Sequence, residues 1–134
     1  MAKGVILIGV GRNLNRAVRT CYSFGVYDIY CLNCPGQVKG NLFSARGARL
    51  HRIESLAGFD RESILALEVI KSLPVLAATN SHGIEYLAVG GETTTLRRRD
   101  FPRMARIPTG DNLCLTTEAA LAIGLYHLEV LAHD

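Results

Sequence analysis

The polar side chains best suited to chemistry lie in three loops, each of which follows an apolar segment: Gly9–Arg16, Val89–Arg99 and Ile107–Thr117. The first loop carries Asn13, and the second places Glu92 beside two glycines and three threonines. Ligands of an open parallel sheet bind beyond the carboxyl ends of its strands, so we expect the loops to share one site. An ordinary turn explains each loop taken alone. The second loop, with its glycines, carboxylate and hydroxyls, suits a small polar ligand held by backbone groups.

Arginine dominates the basic residues, with 12 Arg against 3 Lys in a chain of formal net charge +3. A guanidinium matches two phosphate oxygens at once, whereas an ammonium is a point charge. The clustering of the arginines favours nucleic-acid binding, although a GC-rich genome, a thermophilic host or a solvated charged surface also explains such an excess. The groups are Arg12, Arg16 and Arg19; Arg46, Arg49 and Arg52; and Arg97, Arg98, Arg99, Arg103 and Arg106.

Two local patterns that suggest other ligands are incomplete. Cys31 and Cys34 have CxxC spacing, but tetrahedral zinc needs four ligands and the chain has no second pair. We therefore expect reduced thiols and no metal. Gly9-Val10-Gly11 begins like a dinucleotide-binding fingerprint, yet Leu14 stands where the third glycine belongs.

Short apolar segments alternate with amphipathic ones along the chain. This alternation predicts a Rossmann-like α/β domain with a mostly parallel sheet flanked by helices. Asn13 is expected to cap the first helix and Gly25 to end it. We expect strands at Val5–Val10, Asp28–Cys31, Arg49–Ile53, Val75–Ala78, Glu85–Val89 and Ala105–Ile107, helices at Asn13–Phe24, Asp60–Ser72 and Thr117–Leu131, and a helical turn at Leu42–Ala48.

The last predicted helix, Thr117–Leu131, is apolar on more than one face. Such a helix usually packs between two surfaces, and in a small protein the second surface is often a partner subunit. Ala119, Ala120 and Gly124 would allow another helix to approach closely. We therefore expect a homodimer that uses this helix and the Asn13–Phe24 helix.

Length and composition indicate one domain spanning residues 1–134, because 49% of the residues are apolar and 20% are charged. The longest uncharged stretch, Ser72–Ile84, is shorter than the roughly 20 residues that a membrane-spanning helix needs. The amino-terminal apolar run lacks the cleavage site of a secretion signal. We expect a cytoplasmic protein without membrane contact.

Taken in order, the three loops resemble the motifs of the SPOUT superfamily of RNA methyltransferases, in the SpoU/TrmH branch that methylates ribose 2′-hydroxyls. The resemblance covers nearly the whole chain and lies mainly in the order and spacing of the motifs. The matching residues are Asn13, Arg19, Thr20, Phe24 and Gly25 in the first motif, Gly90, Glu92 and Leu96 in the second, and Ile107, Pro108 and Ala119 in the third.

The chain departs from the family pattern in the second and third motifs. Thr93 and Thr95 stand where the family has glycines. Leu113 and Leu115 fall near the family's Ser and Asn, although a small shift of the alignment would put Thr116 or Thr117 there.

The resemblance implies a C-terminal trefoil knot, a homodimer with a shared active site, and a tRNA or rRNA substrate. It implies Arg19 and Asn13 as catalytic residues and S-adenosylmethionine as the methyl donor. The implied donor site comprises Ala78, Val89, Gly90, Gly91, Glu92, Ile107, Cys114, Leu115 and Thr117. The implied RNA-binding residues are Arg12, Arg16, Arg46, Arg97, Arg98 and Arg99.

Two other functions are compatible with the same residues. The departures in the second and third motifs suit a non-catalytic RNA-binding protein of the same fold. The glycines of the first loop suit, less well, a nucleotide-binding regulatory module.

Overall fold

The computed structural model describes residues 2–38, 47–110 and 113–129 of the chain. They form six parallel strands in the order β3-β2-β1-β5-β4-β6, together with two α-helices. The strands are β1 Gly4–Ile8, β2 Asp28–Leu32, β3 Arg49–Ile53, β4 Ile64–Leu67, β5 Tyr86–Gly90 and β6 Met104–Ala105, and the helices are α1 Leu14–Ser23 and α2 Thr117–Glu129. The predicted α/β class with a parallel sheet is confirmed. The trefoil knot stays a prediction, and Arg46 with most of the Leu42–Ala48 turn lies outside the described residues.

The order of the strands reverses at the centre of the sheet. From β1 the chain proceeds outward through β2 to β3, whereas β5, β4 and β6 lie on the other side of β1. β1 and β5 are neighbours in register from Gly4↔Tyr86 to Ile8↔Gly90. Their carboxyl ends therefore form the switch point at which open α/β sheets bind ligands.

Both helices cover the same face of the sheet. Leu14 and Val18 of α1 and Leu121 and Leu125 of α2 are fully buried in one apolar cluster with the strands. Gly124 faces the sheet, because a Cβ atom there would lie 2.7 Å from a methyl carbon of Leu87. Gly124 therefore brings α2 close to the strands of its own chain, and the prediction that it contacts another helix is wrong.

The opposite face of the sheet is covered by irregular segments in the described chain. Leu56 before β4, and Leu96 and Phe101 after β5, pack with Ile6 and Ala88 into a second apolar cluster. Connecting segments with few backbone hydrogen bonds of their own need such buried anchors to hold a fixed position.

The first helix ends as the sequence predicts. Gly25 has a φ of +78°, in the left-handed region that glycine adopts without strain. The amide of Gly25 donates to the carbonyl of Tyr22, and the amide of Val26 donates to the carbonyl of Cys21, both at 3.0 Å. These two bonds make a Schellman motif, which satisfies the last carbonyls of the helix.

Two predicted elements differ from the structure. The helix expected at Asp60–Ser72 is a 3-10 turn at Arg61–Ser63 followed by strand β4. The reason is that Ile64–Leu67 is a continuous apolar run, which can be buried on both faces of a parallel sheet. The strand expected at Val75–Ala78 is a 3-10 turn at Leu76–Ala78, and only Val75 pairs with the sheet region, through a bridge to Arg106.

Candidate functional site

The loops after β1 and β5 are in direct backbone contact. The amide of Gly91 donates to the carbonyl of Ile8 at 2.8 Å. A Cβ atom at Gly91 would overlap the carbonyl oxygen of Gly9 and lie 3.3 Å from the Cα of Val10. This approach brings the first and second sequence motifs together, and it requires glycine at position 91.

The loop after β2 packs against the first loop, which follows β1. Gly36 packs against Gly11 so closely that a Cβ atom there would overlap the Gly11 carbonyl oxygen. The amide of Gly36 donates to the Val10 carbonyl at 3.3 Å, and Arg52 donates to the carbonyls of Cys34 and Gly36 at 2.8 Å each. The space beside the first glycines is thus filled by the protein's own backbone, which disfavours a nucleotide-binding module built on Gly9 and Gly11.

Cys34, a buried thiol in the loop after β2, also binds the backbone at the end of β1. Its Sγ accepts a hydrogen bond from the Val10 amide and donates to the Leu7 carbonyl, at 3.3 Å in each case. Hydrogen bonding from Cys31 lowers the pKa of Cys34, and the same contact, with burial, raises the pKa of Cys31. Both cysteines are free thiols, as are Cys21 and Cys114.

Asn13 and Glu92 form the polar link between the first two motifs. Asn13 Nδ2 donates to Glu92 Oε1 at 3.2 Å across 79 residues of sequence. Asn13 occupies the N-cap position of α1, but its side chain makes no capping hydrogen bond, so the predicted side-chain cap is wrong. The side-chain amide of Asn13 donates to Glu92 instead, and this bond holds the Glu92 carboxylate beside the N-terminus of α1.

The third motif joins the same place through the start of α2. Thr117 Oγ1 donates to the Gly90 carbonyl at 3.0 Å, and Glu118 accepts from Arg16 of α1 at 3.3 Å. Thr116 Oγ1 accepts from the Ala119 amide at 3.2 Å, as an N-cap side chain does. The two threonines therefore have separate roles, and Thr117 is the one that turns its hydroxyl toward the second motif.

A cleft opens between the ends of β4 and β5 and the start of α2. It encloses about 530 Å³ of space free of protein atoms, part of it open solvent. The lining residues are Leu67, Glu68, Val69, Val89, Gly90, Gly91, Glu92, Thr94, Ile107, Thr109, Cys114, Leu115, Thr117 and Ala120. The cleft thus combines apolar walls with two carboxylates, several hydroxyls and exposed backbone, a combination found in small-molecule sites.

Most of the residues expected around the methyl donor lie together in this cleft. The exception is Ala78, which lies in the 3-10 turn before β5 and lines another cavity with Arg98 and Arg103. Leu113, which departs from the family pattern, is 67% exposed and does not line the cleft, whereas Leu115 does.

Glu68 is a cleft residue that the sequence analysis missed. It follows β4 directly, and its Oε2 accepts from the Leu96 amide at 3.2 Å, which leaves the other carboxylate oxygen available. The signal was the run Ile64–Leu67 followed by a carboxylate, which repeats the pattern of an apolar strand followed by a polar loop. Because we expected a helix at Asp60–Ser72, Glu68 was not recognised as the first residue after a strand.

The arginines divide into those with partners and those without. Arg49 donates to both oxygens of Asp28 at 2.8 and 2.7 Å, and this pairing is the main cause that lowers the pKa of Asp28. Arg103 donates to three backbone carbonyls, and Arg106 donates to one. Arg98 donates to Ser72 Oγ at 2.7 Å. Arg49 thus joins β3 to β2, whereas Arg98, Arg103 and Arg106 bind irregular segments.

The guanidinium groups of four exposed arginines have no hydrogen-bond or ion-pair partner among the described residues: Arg12, Arg19, Arg97 and Arg99. Arg12 and Arg19 flank Arg16 along the start of α1, and none of the three lines the cleft. The spacing of three residues places Arg16 and Arg19 along one side of α1, and Arg12 immediately precedes the N-cap residue Asn13. Free guanidinium groups are therefore available on the same part of the molecule as the Asn13–Glu92 link.

Solved structures of RNA methyltransferases share this fold. The A. aeolicus TrmH/SpoU tRNA modifying enzyme superposes with a TM-score of 0.76 at 17% identity, covering 96% of this chain and 75% of that chain. AviRb from Streptomyces viridochromogenes, a SpoU methyltransferase solved with AdoMet, gives 0.78 at 14% identity, covering 99% and 58%. An rRNA methyltransferase from Sinorhizobium meliloti gives 0.71 at 17% identity, covering 93% and 54%.

The chain therefore has the fold of the SpoU/TrmH-type RNA methyltransferases, and the expected fold resemblance is confirmed. It spans about half to three quarters of the length of these three structures. Neither a sequence profile of a known protein family nor a curated protein sequence matches it. In the described part of the chain, no helix is both long and apolar enough to cross a bilayer.

We predict that Gly91→Ala destabilises the protein and closes the site. The added methyl group would meet the Gly9 backbone, which cannot move without breaking the β1–β5 junction, so the free energy of unfolding should fall by about 1–3 kcal/mol. Denaturant unfolding measures this change. Gly58→Ala is the control, because a Cβ atom there has no neighbour within 4 Å and should change stability by less than about 0.5 kcal/mol. Equal stability of the two variants would contradict the proposed backbone constraint.

Proposed function

We propose that the protein is an S-adenosylmethionine-dependent RNA methyltransferase that methylates a ribose 2′-hydroxyl of tRNA or rRNA. The observation that carries the proposal is the convergence of three motifs on one cleft. Asn13 binds Glu92, and Thr117 binds Gly90 at the same edge of the sheet. The solved neighbours with this fold include the tRNA modifying enzyme and the AdoMet complex described above. We place the protein in the cytoplasm, where its proposed substrates are found.

The cleft fits the chemistry of the methyl donor. S-adenosylmethionine has a flat adenine, ribose hydroxyls, an ammonium group and a positive sulfonium. The apolar side chains of Val89, Ile107 and Leu115 would contact the adenine, and the backbone of Gly90 and Gly91 is bare enough for close approach. Glu68 and Glu92 place negative charge where the cationic part of the donor would lie. When bound, the donor supplies an activated methyl group.

The remaining task of the protein is to orient a ribose hydroxyl in line with that methyl group. Much of the rate of such a displacement comes from positioning. Asn13 holds Glu92 at the mouth of the cleft, so the carboxylate is available to accept a hydrogen bond from the incoming ribose. Arg19 would bind the neighbouring phosphate with its guanidinium fork, and the proton of the hydroxyl would pass to that phosphate or to water. An arginine keeps its proton in proteins, which makes it an electrostatic positioning group here.

A homodimer is part of this proposal. Ile123 and Tyr126 are 41% and 49% exposed, and with Ala119 they form a stripe along the outer side of α2. A partner subunit would cover this stripe, which lies on the same helix whose first turn lines the cleft.

A non-catalytic RNA-binding protein of the same fold is the second candidate. Thr93 and Thr95 replace the glycines of the family pattern, and Leu115 replaces a polar residue in the cleft wall. Such a protein would bind RNA without binding the donor.

Calorimetry with S-adenosylmethionine and with its demethylated product tests the proposed function. We expect saturable binding of both, and incorporation of label when bulk tRNA or rRNA is incubated with protein and labelled donor. Binding to RNA with no heat from either compound, and no label transferred, would reject the enzyme and support the second candidate.

Arg19→Ala should reduce methyl transfer at least a hundredfold while donor affinity stays within about twofold. The guanidinium stabilises the transition state by about 2–4 kcal/mol in this role, and it lies outside the cleft. Single-turnover methylation measures the rate, and calorimetry measures donor binding. Arg19→Lys keeps the charge but loses the fork, so it should restore only a small part of the rate. Wild-type turnover by Arg19→Ala would show that the active site is placed wrongly.

Light scattering should give a mass of two chains, twice 14.6 kDa, at micromolar concentration. Tyr126→Glu should shift the protein to the mass of a single chain, because it buries a charge in the proposed interface. Tyr27→Glu is the matched control, since Tyr27 is 41% exposed and lies outside α2. A single-chain mass for the wild-type protein would exclude the homodimer.

A further inference from the structure

A second groove lies beside the cleft, at the carboxyl ends of β1 and β2 on the sheet face opposite the helices. It encloses about 770 Å³ of space free of protein atoms, part of it open solvent. Its floor is apolar and is formed by Ile8, Leu32, Leu56, Leu96 and Phe101. The rim is polar and consists of Asn33, Arg61, Thr95, Arg97, Arg99 and Asp100.

One stretch of chain separates this groove from the cleft. Thr94 lines the cleft, whereas Thr95 lines the groove. The link continues through Ile8, whose side chain is in the groove floor and whose carbonyl accepts from the amide of the cleft residue Gly91. The cleft and the groove therefore lie on either side of this stretch, at the same edge of the sheet.

The charge of the rim favours an anion. The rim holds three guanidinium groups and one carboxylate, and the guanidinium groups of Arg97 and Arg99 are exposed with no partner among the described residues. Arg61 donates to the Asp100 carbonyl at 3.0 Å, which fixes the rim on that side. Unpaired guanidinium groups above an apolar floor match a phosphate joined to a flat, weakly polar ring.

Building on the proposed function, we infer that this groove binds an unpaired nucleotide adjacent to the one that is methylated. Its phosphates contact Arg97 and Arg99, and its base lies against the apolar floor near Leu32 and Leu56. A base in this position has left the stack of its neighbours, so the substrate presents a loop or a single strand and not a continuous duplex.

The resemblance implies an RNA-binding role for Arg98 too, but this inference leaves Arg98 out of the groove because its guanidinium donates to Ser72 Oγ. Arg98 therefore provides a matched control within the same run of three arginines. It has the same charge and is also exposed, but it donates to Ser72 and lines the cavity on the other side of this segment. A merely electrostatic attraction to RNA would depend on all three arginines alike. Binding in the groove depends on Arg97 and Arg99 and not on Arg98.

The test measures the affinity for a short, fluorescent, single-stranded RNA of mixed sequence over a series of salt concentrations. The double variant Arg97→Ala/Arg99→Ala should bind it roughly tenfold more weakly, with the salt slope reduced by about 1–2. Arg98→Ala should stay within about twofold of the wild type. A blunt RNA duplex should compete less well than the unlabelled single strand.

Three results would overturn the inference. They are an unchanged affinity of the double variant, a loss in Arg98→Ala that equals the loss of the double variant per arginine removed, and competition by the duplex as strong as by the single strand. Calorimetry with S-adenosylmethionine alone separates this inference from the proposed function. The double variant should bind the donor like the wild type. Weaker RNA binding with unchanged donor binding would therefore show an effect on the groove and not on the donor site. If the wild-type protein binds no donor, the proposed function is rejected. The RNA affinities of the variants would still show whether the groove binds RNA.

Discussion

The close approach of two backbones at the ends of β1 and β5 is the constraint on which the site depends. Gly91 lies on Gly9 with no room for a side chain between them, and its amide bonds to the last carbonyl of β1. Because this junction lies where the strand order reverses, it brings loops that are about 80 residues apart in sequence to one place. The Asn13–Glu92 bond follows from this approach, since neither side chain could reach the other from a wider junction.

The shape of the cleft depends more on backbone geometry than on particular side chains. Gly90 and Gly91 supply bare backbone, and the start of α2 is held against them by Thr117. A site built in this way tolerates substitutions around it, as long as the junction and the helix start stay in place. This is a physical reason why structures at 14–17% identity share the fold, and why departures such as Leu115 are compatible with an intact cleft.

The arginines have two different structural roles in the molecule. Arg52, Arg103 and Arg106 satisfy backbone carbonyls of irregular segments with their fixed fork of donors, whereas Arg49 joins strand β3 to Asp28 of the neighbouring strand β2. The arginines that remain unpaired lie near α1 and in the segment after β5, on both sides of the junction. A small net charge of +3 is therefore compatible with a locally basic surface.

The sequence by itself determined the α/β class, the first and last helices, the central strands and the loops that form the site. These features depend on local signals: continuous apolar runs, helical periodicity, and Gly25 at a helix end. Only the tertiary structure decided that Ile64–Leu67 is a strand, since four apolar residues suit a helix as well as a strand until sheet neighbours are present on both sides. It also decided that the Asn13 side chain binds Glu92 and makes no capping hydrogen bond at the N-cap position, and which guanidinium groups of the described arginines are unpaired. A side chain's partner depends on groups far away in sequence, and no local pattern encodes their distance.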